Sequence, residues 1–231
     1  MTILFLYNTA ALSGLPIQEM KQRRQWCGFR IYPQPKGKPR KIPVIAMDPD
    51  AAASSTKPAT WSTFDAALKG LAGGAYSAVG YALAGDVVGI DLDGERWVAE
   101  DGELSKEAQA IVGRCRSYAE WSISGRGVHI FLHGRLAGGR ANNKISVEVY
   151  TRKRLFIVTG RKLPDAPPTI TENQAAVGWV LHRFPGDGPK EMPEPTEKAE
   201  TAENTETMAS VFSAFSALSV ARFLPSFRPV P

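Results

Sequence analysis

The sequence predicts an α+β fold in which an antiparallel sheet is covered on one face and open to ligands on the other. Three observations carry that expectation. Residues 87–93, 128–133 and 144–150 alternate apolar and polar side chains with the period of two that an extended chain imposes. Strand-like runs follow one another across short connections, as in a succession of hairpins. Phe64, Ala67, Leu68 and Leu71, and then Ala108, Ile111, Val112 and Cys115, recur instead at helical spacing.

In chain order, residues 1–15 are read as an N-terminal extension. The apolar run from Met1 to Leu6 is broken by Tyr7-Asn8 and lacks the basic start and long apolar core of a signal peptide. No other run is long enough to predict a membrane span. Residues 17–26 predict a helix, with Pro16 at its start and basic residues toward its end, and residues 27–32 then turn extended. Residues 33–43 and 48–58 read as loops. A helix at 60–71 follows, with Ser62 and Asp65 as a capping box and Gly73-Gly74 as its stop. Residues 78–83 and 87–93 read as a hairpin turning at Ala84-Gly85-Asp86. A helix at 104–116, strands at 118–122, 128–133, 144–150 and 154–159, and a helix at 172–184 complete a body spanning 16–185. Residues 186–207, rich in Pro, Glu and Thr, predict a disordered acidic linker. Residues 208–231 return Val211, Phe212, Phe215, Leu218 and Val220 as a short amphipathic tail.

The three alternating segments carry a polar message. In residues 87–93 Val88, Ile90 and Leu92 form one row, and Asp91 and Asp93 share the other face. Two neighbouring carboxylates repel and lose hydration unless a cation lies between them. Oxygen-only donors favour Mg²⁺ or Mn²⁺ over zinc, and Glu148, on the polar row of residues 144–150, supplies a third acid. Ser124-Gly125-Arg126-Gly127-Val128-His129 adds a hydroxyl, a guanidinium and an imidazole suited to phosphate oxygens, on a backbone whose glycines allow close approach. Acids for metal beside donors for phosphate predict a nucleotide site. The glycines match neither a P-loop nor a dinucleotide fingerprint.

The ordered set Asp91-Leu92-Asp93, Ser122-Ile123-Ser124-Gly125-Arg126-Gly127-Val128-His129-Ile130-Phe131, Glu148-Val149-Tyr150 and Arg154-Leu155-Phe156-Ile157-Val158-Thr159-Gly160 resembles the archaeo-eukaryotic primase superfamily. Within it, the set is similar to the bifunctional primase-polymerase N-terminal domains of phages and plasmids. The resemblance covers roughly residues 20–165 and reaches upstream to Lys41-Ile42-Pro43. It implies an RRM-like antiparallel catalytic core with flanking helices, and template-directed nucleotidyl transfer with two metal ions on Asp91, Asp93 and Glu148. It further implies that Ser124, Arg126 and His129 hold the incoming triphosphate, joined by Lys41 before its proline and by Arg154. The implied partners are a single-stranded DNA template, nucleoside triphosphates and a separate replicative helicase.

At 231 residues the chain can bury a core, and its formal charge is +5. Charge distribution says more than the total. Residues 21–41 carry eight cations and no acid, Arg23, Arg24 and Arg30 among them, and Arg140 and Lys144 belong to a second cluster. Such patches grip a nucleic-acid backbone without reading its sequence. Lys36 and Lys38 read instead as solvated loop charges. Trp26, Phe29 and Tyr32 are interleaved with the basic residues, and the pattern assigns at least two of them to the core. Cys27 and Cys115 have no metal or disulfide spacing, which fits a reducing cytoplasm, bacterial or in a phage-infected host. Two other readings remain for the same residues: a metal-dependent nuclease, which also needs clustered carboxylates, and a non-catalytic RRM-like module that binds single strands.

Overall fold

The structure is a computed structural model and describes residues 9–136, 140–142 and 145–185, with only the backbone of 140–142. The linker and tail expected at 186–207 and 208–231 lie outside the described residues, as does Lys144. The described chain is a mixed α+β protein. Its elements are α1 (Thr9–Ser13), α2 (Gln18–Gln22), β1 (Trp26–Tyr32), β2 (Arg40–Ile45), β3 (Asp48–Ala52), α3 (Phe64–Ala72), β4 (Ala78–Asp93), α4 (Lys106–Cys115), β5 (Ala119–Trp121), β6 (Gly127–His133), β7 (Arg140–Asn142), β8 (Val147–Val158) and α5 (Gln174–Arg183). No helix among the described residues is long and apolar enough to cross a membrane.

All ladders between these strands are antiparallel. β4 is the axis of the sheet. It pairs with β8 along one side, and on the other side first with β1, through Ala78–Tyr81, and then with β6, through Val87–Asp93. The hairpin expected around Ala84-Gly85-Asp86 is therefore one strand of 16 residues that passes through an irregularity. The turn-like tripeptide is accommodated because the β4–β8 register shifts there, between Leu83 and Gly89. The strands expected at 144–150 and 154–159 likewise form one strand, β8, in which Lys153 adopts a positive φ of 56°.

Helix boundaries follow local chemistry. The helix expected at 17–26 stops at Gln22, because Trp26 is drawn into β1 opposite Tyr81 and its indole N–H donates to the Met20 carbonyl at 2.9 Å. Thr63, and not Ser62, caps α3 by accepting from the Ala66 amide, while Ser62 is buried in a bridge to Trp26. Ser105 and Asn173 cap α4 and α5 in the same way.

Two large apolar clusters hold the sheet. Val88, Ile90, Leu92, Val128, Ile130 and Leu132 pack with α4 and α5. Val79, Tyr81, Leu83, Phe131, Phe156 and Trp26 pack with residues from α1 to α3, including Leu12 and Leu15 from the expected N-terminal extension. Trp26 and Phe29 are buried and Tyr32 is 44% exposed, so two of the three interleaved aromatics are core.

Candidate active site

Asp91 lies opposite Glu148 on β8 and opposite His129 on β6, and His129 lies opposite Glu120 on β5. Directly opposed residues share a face of the sheet, so Glu148, Asp91, His129 and Glu120 form one row across four strands. Asp93, two residues along β4, joins the same face.

Glu148, Asp91 and His129 of this row line a cleft of about 620 Å³, in the size range of small-molecule sites. Asp91, Asp93, Glu148, Ser124, Arg126, His129, Lys41 and Arg154 all line it. These side chains come from β2, β4, β6, β8 and the turn before β6. That turn is tight. Its Ser124 hydroxyl bonds with Ser122 at 3.1 Å and accepts from the Arg126 amide, while Gly125 takes a φ of 69°. A Cβ at Gly127 would lie 2.5 Å from the Leu92 carbonyl oxygen, so only glycine lets β6 start flush against β4. The Arg126 guanidinium donates to Glu95 at 2.9 Å.

Charge is unevenly compensated. Burial and the neighbouring Asp93 raise the pKa of Asp91 against the opposing pull of His129 and Arg154. Burial opposes charge on His129, but Glu120 and Asp91 outweigh it and the pKa of the imidazole is raised. Lys38 pairs with Asp93, which raises the lysine's pKa. Arg154 donates to Glu148 at 2.5 Å while stacking 5.0 Å from the Tyr150 ring centre.

Among the described residues no group of three or more His, Cys, Asp or Glu side chains is placed to hold a metal ion. Lys38 and Arg154 lie against two of the three acids instead. The chemistry of the donor set still suits a hard divalent cation, because it is all oxygen and because Asp91 keeps its charge only at a cost.

Among the residues in or beside this cleft that escaped the sequence reading are Lys38 and Glu120. Lys38 read as a solvated loop cation, yet it lines the cleft against Asp93. Glu120 is fully buried and was not singled out; the available signal was a lone acid between apolar neighbours on a strand next to His129. Of the expected nucleic-acid contacts, Arg23, Arg24 and Arg30 are placed elsewhere. Arg23 pairs with Asp86, Arg24 lies 3.5 Å from the Trp61 carbonyl, and Arg30 pairs with Asp50; none of them lines the cleft. Arg140 lies on β7, the strand beyond β8, and Lys144 is outside the described residues. His133, the last residue of β6, is clasped between Glu19 and Asp86 at 3.0 Å each.

Fold and site together define an α+β protein whose antiparallel sheet gathers three acids, a histidine and several phosphate-suited donors at one cleft. Over 150 residues the chain is 28% identical to a DNA primase-polymerase of Nitratiruptor phage NrS-1, a match covering 62% of this chain and 20% of that relative. This similarity supports a relationship to primase-polymerases. No protein-family model matches the chain.

Proposed function

We propose that the chain is a template-directed nucleotidyltransferase, a DNA primase or polymerase, that extends or initiates strands on single-stranded DNA from nucleoside triphosphates. The observation that carries this reading is the register that sets Asp91 directly between Glu148 and His129, all three lining the cleft. Similarity to a phage primase-polymerase supports it independently.

In this reading Asp91, Asp93 and Glu148 hold Mg²⁺ or Mn²⁺, which would compete with Lys38 for Asp93 and with Arg154 for Glu148. When bound, such ions stabilise charge on the attacking and leaving oxygens of an in-line displacement. The chain's own donors do the positioning. Arg126, His129, the Ser124 hydroxyl, Lys41 and Arg154 all line the cleft, so a triphosphate bound there would be oriented and its charge offset. The basic residues Arg23, Arg24 and Arg30, which do not line the cleft, and Arg140 and Lys144 would act only as non-specific contacts to the template backbone.

The test is primer extension and de novo priming on single-stranded DNA with dNTPs or NTPs, with and without metal. The D91A/D93A variant should fold and incorporate nothing. Incorporation by that variant, or metal-dependent degradation of DNA by the wild type without nucleotides, would sink the assignment.

A further inference from the structure

The reaction proposed above uses His129 but leaves the buried acid beside it without a task. Glu120 is fully buried. Its two oxygens are held from the far side of the sheet edge. Oε1 accepts from the Thr159 amide at 2.9 Å, and Oε2 accepts from the Gly160 amide and the Tyr118 hydroxyl, each at 2.9 Å. Three donors arriving from two segments leave the carboxylate no freedom to rotate. Arg161 adds a favourable electrostatic interaction from the same side.

The imidazole of His129 sits between this fixed acid and Asp91. Its Nδ1 faces Glu120 Oε1 at 3.8 Å and its Nε2 faces Asp91 Oδ1 at 3.6 Å. Nδ1 is buried and reaches no hydrogen-bond partner at ordinary distance among the described residues. The Phe156 ring packs edge-on at 5.2 Å between centres, and Phe131 lies beyond at 6.5 Å, so the ring is confined in plane as well as in direction. A nitrogen buried against a carboxylate favours carrying its proton there, which fixes what the opposite nitrogen presents.

We propose that Glu120 is a positioning residue that, fixed by Tyr118, Thr159 and Gly160, holds the Nδ1–H edge of His129 and so keeps Nε2 turned to Asp91 and the triphosphate. The inference rests on the nucleotidyltransferase reading for its kinetic consequence but not for its geometry. Glu120 touches neither substrate nor metal; it acts through His129.

Two measurements test it. Long-range ¹⁵N–¹H spectra of the wild-type imidazoles are tractable because the chain has 3 histidines, and the H129A variant identifies the signal. A proton on Nδ1 is expected; a ring protonated on Nε2 alone overturns the proposal without any substitution at Glu120 and whatever the enzyme does. The second measurement is a double-mutant cycle on nucleotide KM. E120Q should raise KM for the incoming nucleotide about tenfold with a smaller change in kcat, and H129A should raise it at least as far. In the H129A background E120Q should add nothing further, because its effect passes through the missing ring. Effects that multiply would make Glu120 a purely structural tie and overturn the proposal. An inactive wild type would remove the polymerase reading while leaving the spectroscopic result to stand or fall alone.

Discussion

Asp91 and Glu148 face each other across the β4–β8 ladder, and the Asp91 carboxyl has Asp93 on its own strand as well. Burial, and then the charge of Asp93, raises the pKa of Asp91 above the ordinary value of 3.8. The folded state therefore binds that proton more tightly than the unfolded chain. This contribution to stability is complete below pH 3.8 and is lost as pH rises through the folded-state pKa. At neutral pH the ionised group is a burden. The D91N variant, uncharged and of equal size, should therefore melt higher than wild type in EDTA, where each kcal/mol moves Tm by about 2–4 °C in a domain of this size. It should also fail to incorporate nucleotides. A lower Tm for D91N would mean that Asp91 is compensated already.

Divalent metal should reverse that burden. Mn²⁺ or Mg²⁺ that binds the folded state alone raises stability by about 2.7 kcal/mol at a hundredfold excess over Kd, and scanning calorimetry reads the change directly. The shift should vanish in D91N and D93N. Lys38 would compete with such an ion for Asp93, but its side chain is 83% exposed, so the pair contributes no more than about 1 kcal/mol. K38A should accordingly bind Mn²⁺ more tightly by at most about fivefold. A weakened affinity would mean that Lys38 does not oppose the metal.

How much of this was legible in sequence depends on which forces act locally. The acids and His129 were visible because alternation with Val88, Ile90 and Leu92, and with Val128, Ile130 and Leu132, fixes their face before any tertiary contact forms. Register then brings Glu148 opposite Asp91. The continuity of β4 through Ala84-Gly85-Asp86 was hidden, because a turn and an irregular strand use the same small and polar residues. Lys38 and Glu120 were hidden for another reason. The partner of Lys38 lies 55 positions away in sequence and two of the three donors to Glu120 lie 39 and 40 positions away, and no local period encodes such pairs.

The two thiols and two of the buried phenols share one sign. Burial pushes Cys27 and Cys115 up to about 12 from 9.0, and Tyr76 and Tyr81 up to about 12 from 10.0. Each is an acid whose proton the folded state holds more tightly. Their contribution is thus complete below pH 9 and is lost progressively between pH 9 and about 12. Tm should fall steeply across that window, and at pH 8 neither cysteine should react with a disulfide reagent until the chain is unfolded. Rapid modification of the folded protein would show that one of the thiols is reached by solvent.

Gly89 tests the link between core and site. It stands opposite Tyr150 on β4, and a Cβ there would lie 2.8 Å from Phe156 Cζ and 2.9 Å from Leu83 Cδ1. Both are side-chain atoms, so the phenyl ring must yield. That ring packs 5.2 Å from the His129 ring and 5.6 Å from Phe131, which carries the displacement to the cleft. G89A should cost about 1–3 kcal/mol by overpacking and should also raise nucleotide KM. Shortening the obstructing ring should undo part of both, so G89A/F156L should be more stable than the sum of the single changes predicts. If the two substitutions simply add, then Phe156 does not transmit strain from β4 to His129, and the imidazole is held by its flanking carboxylates alone.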